Sequence, residues 1–284
     1  MPNKYIFLTV AAMVAVALPV HGQTVLAGSG DHAAVLSVVN QYRTLLGPLN
    51  ANTPGVGNPN GRREINWDAV GDAFSDPNLF PGNFLNAPVA PRARGAEFTT
   101  PGSGFLLSAD DSNPTNTPVE YARINASYPN EFAVFSQQRL FTALDSVITD
   151  VRFFVAGTNF PATVTGFGAV FTDIDLPDST KMEYYDANNS LIYSIFVPAG
   201  VNPHESFSFA GVKFADRIVS RVRIFSGNAA MGLNSGPNDD PLNGHDVVVM
   251  DDFIYGEPVP EPASMAVLGG GLIALAVRSR RRKQ

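Results

Sequence analysis

The sequence contains no cysteine, so disulfide frameworks and thiolate metal sites are excluded. The body has to fold on burial and hydrogen bonding. Tryptophan occurs once, at Trp67, so an aromatic platform for sugars has to draw mainly on Tyr121, Tyr128, Tyr184, Tyr185 and Tyr193. Histidine is equally scarce. Outside the first 22 residues only His32, His204 and His245 occur, far apart and in no H-x-x-x-H or H-E-x-x-H pattern, which argues against a zinc hydrolase. No G-x-S-x-G nucleophile elbow is present. Charge is sparse at 16%, and cations are the scarcer sign, 19 against 26 anions. Six of those cations, Lys4, Arg278, Arg280, Arg281, Arg282 and Lys283, sit in the two terminal segments, leaving 13 against 26, a net −13, for the rest. Such an acidic body repels phosphate backbones and excludes nucleic acid as a natural partner.

What is present is apolar and turn-rich. Hydrophobic residues make up 45% of 284, enough for a packed core, with 20 Phe, 25 Gly and 22 Pro. Aromatic residues among many turn formers suit an all-β body. Long hydrophobic runs occur only at the ends. At the N-terminus, Lys4 precedes an apolar stretch from Tyr5 to Leu18. Pro19 breaks it, and Val20 and Gly22 supply small residues for cleavage. Residues 1–22 therefore read as a secretory signal peptide, with a cut after Ala27 as the alternative.

The C-terminus reads "VPEPASMAVLGGGLIALAVRSRRRKQ". Its uncharged run carries Met265, Val267, Leu268, Leu272, Ile273, Leu275 and Val277. The 15 residues from 263 to 277 fall short of the about 20 that cross a hydrocarbon core, but flanking residues and snorkelling arginines extend the reach. Arg278, Arg280, Arg281, Arg282 and Lys283 would hold their end in the cytoplasm. Pro260 and Pro262 keep the preceding segment extended, the form a protease cleft binds. Val259, Pro260, Glu261 and Pro262, then the apolar span, then the arginine cluster resemble the PEP-CTERM sorting signal of Gram-negative bacteria. The resemblance implies export, a membrane-anchored intermediate at the inner membrane, and recognition by an exosortase, a membrane-embedded cysteine protease or transpeptidase that cuts near Pro-Glu-Pro. The protein would then reach the cell surface or the exterior.

Between these ends, Asp31–Gly47 has apolar residues at helical spacing, Asp31 placed to cap the start and Gly47-Pro48 to stop it, giving a helix of about four turns. Residues 48–63 are a Pro, Asn and Gly-rich linker, and Ile65 and Trp67 share one face of a short strand. The expected organisation is signal peptide 1–22, helix and linker 23–60, β-sandwich 61–257 and sorting signal 258–284. Candidate strands are 97–99, 104–108, 131–135, 146–155, 163–171, 181–185, 191–197, 206–212, 218–225 and 247–255. Their spacing, with no long helix between them, predicts a jelly-roll-like antiparallel sandwich. In the span 218–225, Ile218, Val222 and Ile224 face the core while Arg221 and Arg223 face out. The body also resembles a group of uncharacterised secreted proteins with this sorting signal, on landmarks such as Arg62-Arg63-Glu64-Ile65-Asn66-Trp67 and Val249-Met250-Asp251-Asp252-Phe253. That resemblance implies no activity.

The candidate chemistry is acidic. Asp173, Asp175 and Asp178 lie in one loop at D-x-D-x-x-D spacing, which departs from the EF-hand pattern. Asp110 and Asp111, and Asp239, Asp240 and Asp246, enrich two further loops. Asp251 and Asp252 are adjacent on the last strand, where alternation sends them to opposite faces, so that the inward one needs an Arg or a cation. A final strand with paired Asp also resembles those of jelly-roll carbohydrate-binding modules, in which it helps hold a structural Ca²⁺. Turn chemistry accounts equally well for each loop, because Asp bonds its own backbone in turns. No cofactor is demanded; a structural Ca²⁺ is the candidate. The expectation is a non-catalytic, exported protein that binds glycan in an exopolysaccharide matrix. The rival is a secreted carbohydrate-active enzyme, glycoside hydrolase or lyase, with a carboxylate pair about 5–9.5 Å apart across a cleft.

Overall fold

Apolar and charged residues alternate through Arg221–Phe225, and the chain there is a strand with Val222 and Ile224 fully buried. The same period of two builds most of the body. The computed structural model describes residues 22–200, 206–232 and 238–261. In chain order the elements are β1 (Gln23–Gly30), α1 (His32–Leu46), β2 (Arg62–Ile65), β3 (Ala96–Thr99), β4 (Gly104–Leu107), β5 (Phe141–Leu144) and β6 (Ile148–Phe153). There follow β7 (Ala162–Thr163), β8 (Gly166–Thr172), β9 (Lys181–Tyr185), β10 (Leu191–Phe196), β11 (Phe207–Phe214), β12 (Arg221–Phe225), β13 (Val249–Gly256) and β14 (Val259–Pro260).

These strands form an antiparallel two-sheet sandwich. The larger sheet runs β1-β11-β8-β13-β5-β4, with β2 also on β13; the smaller runs β10-β9-β12-β6-β3. Their facing sides meet in an aromatic core. Trp67 stacks on Phe141 at 4.2 Å between ring centres, nearly parallel, and takes Phe253 edge-on at 5.2 Å. Phe167, Phe171 and Tyr255 from the larger sheet oppose Val151, Phe153, Met182 and Tyr184 from the smaller.

The larger sheet is covered on its outer side as well. Helix α1 lies there, burying Val35, Val39, Tyr42 and Leu46 against Val170, Phe209 and Ile254. The irregular excursion between β4 and β5 covers the rest, with Tyr121, Tyr128 and Phe132 packed on Leu106, Leu144 and Val249. This double cover explains why every residue of β8 and β13 is buried, as in the central strands of sheets covered on both faces. The residues around α1 behave as their types dictate. The Asp31 carboxylate accepts the Ala34 N–H at 2.8 Å, and Gly47, at φ 101°, sends its N–H to the Arg43 carbonyl.

Several sequence expectations change. Residues 23–60 are more than helix and linker: Gln23–Gly30 pairs with β11 along its whole length. A cut after Ala27 would remove most of that strand. The 131–135 segment, expected as a strand, is irregular and follows directly on a 3₁₀ turn at Tyr128–Asn130, and its apolar residues divide between two clusters. The expected 163–171 strand is two, β7 and β8. The signal peptide and the apolar C-terminal run lie outside the described residues. Among the described residues, no helix is long and apolar enough to cross a membrane.

Helix α1 can approach this closely because Gly168 and Gly211 pair across β8 and β11 beneath Tyr42. A Cβ on Gly211 would stand 2.8 Å from the Tyr42 ring. Replacing Gly211 with Ala should therefore cost about 1–3 kcal/mol by overpacking. The same change at Gly71, which has open space and φ −72°, should stay within about 0.5 kcal/mol. Urea unfolding of the two variants checks the difference.

Candidate functional sites

The Asp251–Asp252 pair does not split between the two faces. Pairing of β13 with β8 shifts register between Met250 and Phe253, and both of those residues enter the inter-sheet core. The two aspartates occupy the bulge between them and both meet the outer cover. The Asp251 carboxylate accepts from the Phe135 N–H at 2.6 Å and the Ser136 hydroxyl at 2.8 Å. Its carbonyl takes the Trp67 indole N–H at 2.6 Å. Asp252 is bonded by Arg43 of α1 at 3.2 Å, and the same guanidinium grips Glu64 at 3.0 and 3.1 Å. Burial pushes both carboxyls up from their ordinary range; for Asp251 the Asp252 charge adds to it. The partners of this pair are an arginine, a hydroxyl and backbone amides, a set that ties layers together.

The second acidic site assembles from three segments. Asp173 follows β8 directly, at φ 67°. Glu131 comes from the excursion and Asp239 from the segment before β13. One oxygen from each carboxylate lies within 4.8 Å of the other two. Asp175 and Asp246 stand close by. The Asp246 carboxylate accepts from the Asp175 and Leu176 amides at 3.3 and 3.2 Å and from the Ser179 hydroxyl, which clamps the loop after β8 to the segment before β13. Asp239 accepts the Val247 N–H at 2.8 Å. Burial, then repulsion from Asp175, Asp239, Glu131 and Asp246, pushes Asp173 up to about 10. Burial is also the main cause at Asp239, pushed up to about 7. Chemically the cluster has two ways to relieve this repulsion: protons or a hard cation.

Of the expected loop triad, Asp173 and Asp175 reach this site, whereas Asp178 is exposed in the turn at φ 62°. Local spacing does not link Glu131, or the loop of Asp239 and Asp246, to that triad, because the positions lie far apart in the chain. Asp110 instead pairs with the buried Arg139 at 2.6 Å. Among the aromatic candidates, Trp67, Tyr121, Tyr128 and Tyr184 are core residues. Tyr184 and Tyr185 take opposite faces of β9, and Tyr185 lies half-buried under the Arg221 guanidinium at 3.7 Å.

The smaller sheet has an open outer face, laced with charge. Arg221 and Arg223 both bond Asp150, at 2.5 and 2.7 Å, and Lys181 bonds Glu183 at 2.7 Å. At one end of its strands β6, β9 and β12 lies an open groove of about 410 Å³ lined by Arg152, Asp186, Asn189, Ser220, Arg221 and Glu261. Glu261 belongs to the tail. Val259 and Pro260 pair with Thr163 and Ala162 as β14 against β7, and just before them Glu257 forms a two-bonded pair with the buried Arg63 at 2.7 and 2.8 Å. The chain is therefore pinned to the body up to Pro260.

Residues 258–282 match the family model of the PEP-CTERM protein-sorting motif. No curated protein and no solved structure matches the chain. The motif supports an exported, exosortase-targeted protein with a membrane-anchored sorting intermediate. Its first residues are those of β14, so the motif begins within the folded body.

The raised carboxyls set a pH dependence in chelator. Between about pH 4 and pH 7 the unfolded chain has released the protons that Asp239 and Asp173 keep when folded, so stability falls as pH rises. Asp68, pushed up to about 6 chiefly by burial, acts in the same direction. Burial would also raise Asp150, but hydrogen bonds from Arg223 and Arg221 outweigh it and hold it low, so its contribution changes only below that window. The melting temperature in chelator should drop between about pH 5 and pH 7.5, as calorimetry across that range checks.

Proposed function

We propose that this protein is carried out of the cell, held through its tail at the inner membrane, processed by an exosortase and displayed at the surface or released, where its body binds exopolysaccharide without catalysing a reaction. The observation that carries the first part is the sorting motif running directly out of the last strands. The body holds the start of that motif, Val259 and Pro260, against Thr163 and Ala162. The cytoplasmic arginines then set orientation.

The glycan part is supported by the open face of the smaller sheet. Its groove offers guanidinium, amide, hydroxyl and carboxylate groups together, the mixture of donors and acceptors that neutral sugars require. For stacking, this face offers Tyr185, whose ring lies under the Arg221 guanidinium. The acidic character of the chain favours neutral over anionic polymers.

Two measurements test this reading. In the native host, a chain tagged at both ends should lose the C-terminal tag and appear outside the inner membrane. Replacing Pro260, Glu261 and Pro262 with Ala should leave it full-length and membrane-bound; a full-length cytosolic product in the unaltered protein would overturn the reading. For the body, a glycan array should give polysaccharide binding that Arg221→Ala weakens about tenfold, roughly the loss of one charged hydrogen-bonding group. Release of shortened sugars during such binding would favour the carbohydrate-active enzyme instead.

A further inference from the structure

The cluster at the end of β8 has a feature that turn chemistry does not explain. Asp173 is fully buried, yet among the described residues neither carboxylate oxygen has a hydrogen-bond partner. The charges that act on it most strongly, Asp175, Asp239, Glu131 and Asp246, are all negative. Ser206, whose carbonyl accepts the Asp173 N–H at 3.1 Å, has a buried hydroxyl that is likewise without a partner among the described residues. A buried carboxylate with neither donor nor cation is among the least favourable groups a fold can contain. Asp251, equally buried, shows the usual remedy in the same molecule: three donors converge on it.

We propose that Glu131, Asp173 and Asp239 hold a calcium ion, with Asp175, Asp246 and the Ser206 hydroxyl around it. The donors are all oxygen, which suits a hard cation and not zinc or copper. One oxygen from each of the three carboxylates lies within 4.8 Å of the other two, close enough for bonds of about 2.4 Å, the calcium distance, to reach all three. Calcium also accepts irregular oxygen sets, whereas magnesium demands near-octahedral geometry and gives up its waters reluctantly. The ion would join the excursion between β4 and β5, the end of β8 and the segment before β13. In a chain without disulfides it supplies a cross-link between segments 42 and 66 residues apart in sequence. Extracellular calcium modules bind at about 10⁻⁴–10⁻³ M, which an exported protein would meet outside the cell. The inference stands on these residues alone, and glycan binding can fail without touching it.

The test uses the full chain in detergent, stripped with chelator and titrated with CaCl₂ by calorimetry and thermal unfolding. One ion per chain is expected, with the melting temperature raised by about 5–10 °C at saturation. Asp173→Asn should melt higher than the unaltered protein in chelator, because an amide is buried with no charge to neutralise, and should lose the calcium response at least tenfold in affinity. Glu131→Gln should weaken binding in the same direction, and Asp178→Asn, at the exposed turn, should leave it unchanged. The proposal is overturned by no heat and no thermal shift up to about 10 mM calcium, well above the extracellular affinity range. An unchanged calcium response in Asp173→Asn, or equal binding of MgCl₂, would overturn it as well.

Discussion

The architecture depends on one local irregularity, the bulge at Asp251–Asp252 in β13. Because two residues there oppose one, Met250 and Phe253 both reach the inter-sheet core, and both aspartates turn to the outer cover. The bulge therefore touches every layer. Its carbonyl fixes the only tryptophan, which organises the aromatic core; its carboxylates fix the 135–136 segment and, through Arg43, helix α1. Regular alternation would have left one carboxylate facing Phe and Val side chains with nothing to meet it, at a cost of several kcal/mol.

Burial of the larger sheet on both faces is what gives the acidic chemistry its character. Carboxylates on a solvated sheet edge would be ordinary surface charge. Here, helix α1 and the excursion after β4 exclude water from the outer face, so each acidic group behind them has to be met individually. The molecule does this in different ways: Asp251 with amides and a hydroxyl, Asp252 with Arg43, Glu257 with Arg63, and Asp110 with Arg139. The smaller sheet is the contrast. Its outer face carries an ion-pair network in which Asp150 and Arg221 are buried and Arg223 is partly exposed, so its rim is placed for contact with a polar partner.

Much of this was legible in the residues. Asp31, Gly47 and the apolar spacing between them locate α1 to within a residue, since capping and amphipathic period act within a few residues of each other. The outward arginines of β12 follow from alternation alone. The tail motif is contiguous, and its meaning needs no fold. What escaped has the opposite character. Strand β1, "QTVLAGSG", is small and weakly patterned, and becomes a strand because β11 offers it a full edge. The 131–135 segment has a strand's apolar density, but its residues divide between two clusters.

By itself, the sequence determined the all-β antiparallel class, the capped helix, the absence of covalent cross-links and the sorting tail, because each of these depends on composition or on neighbours a few positions apart. Only the tertiary structure decided which carboxylates meet. It put Asp173 with Glu131 and Asp239, left Asp178 in solvent, and turned Asp251 and Asp252 to the same side. The physical reason is that electrostatic and coordination distances are measured through space. Chain reversals between strands, a bulge and the folding-over of a long excursion set those distances, and spacing along the chain does not encode them.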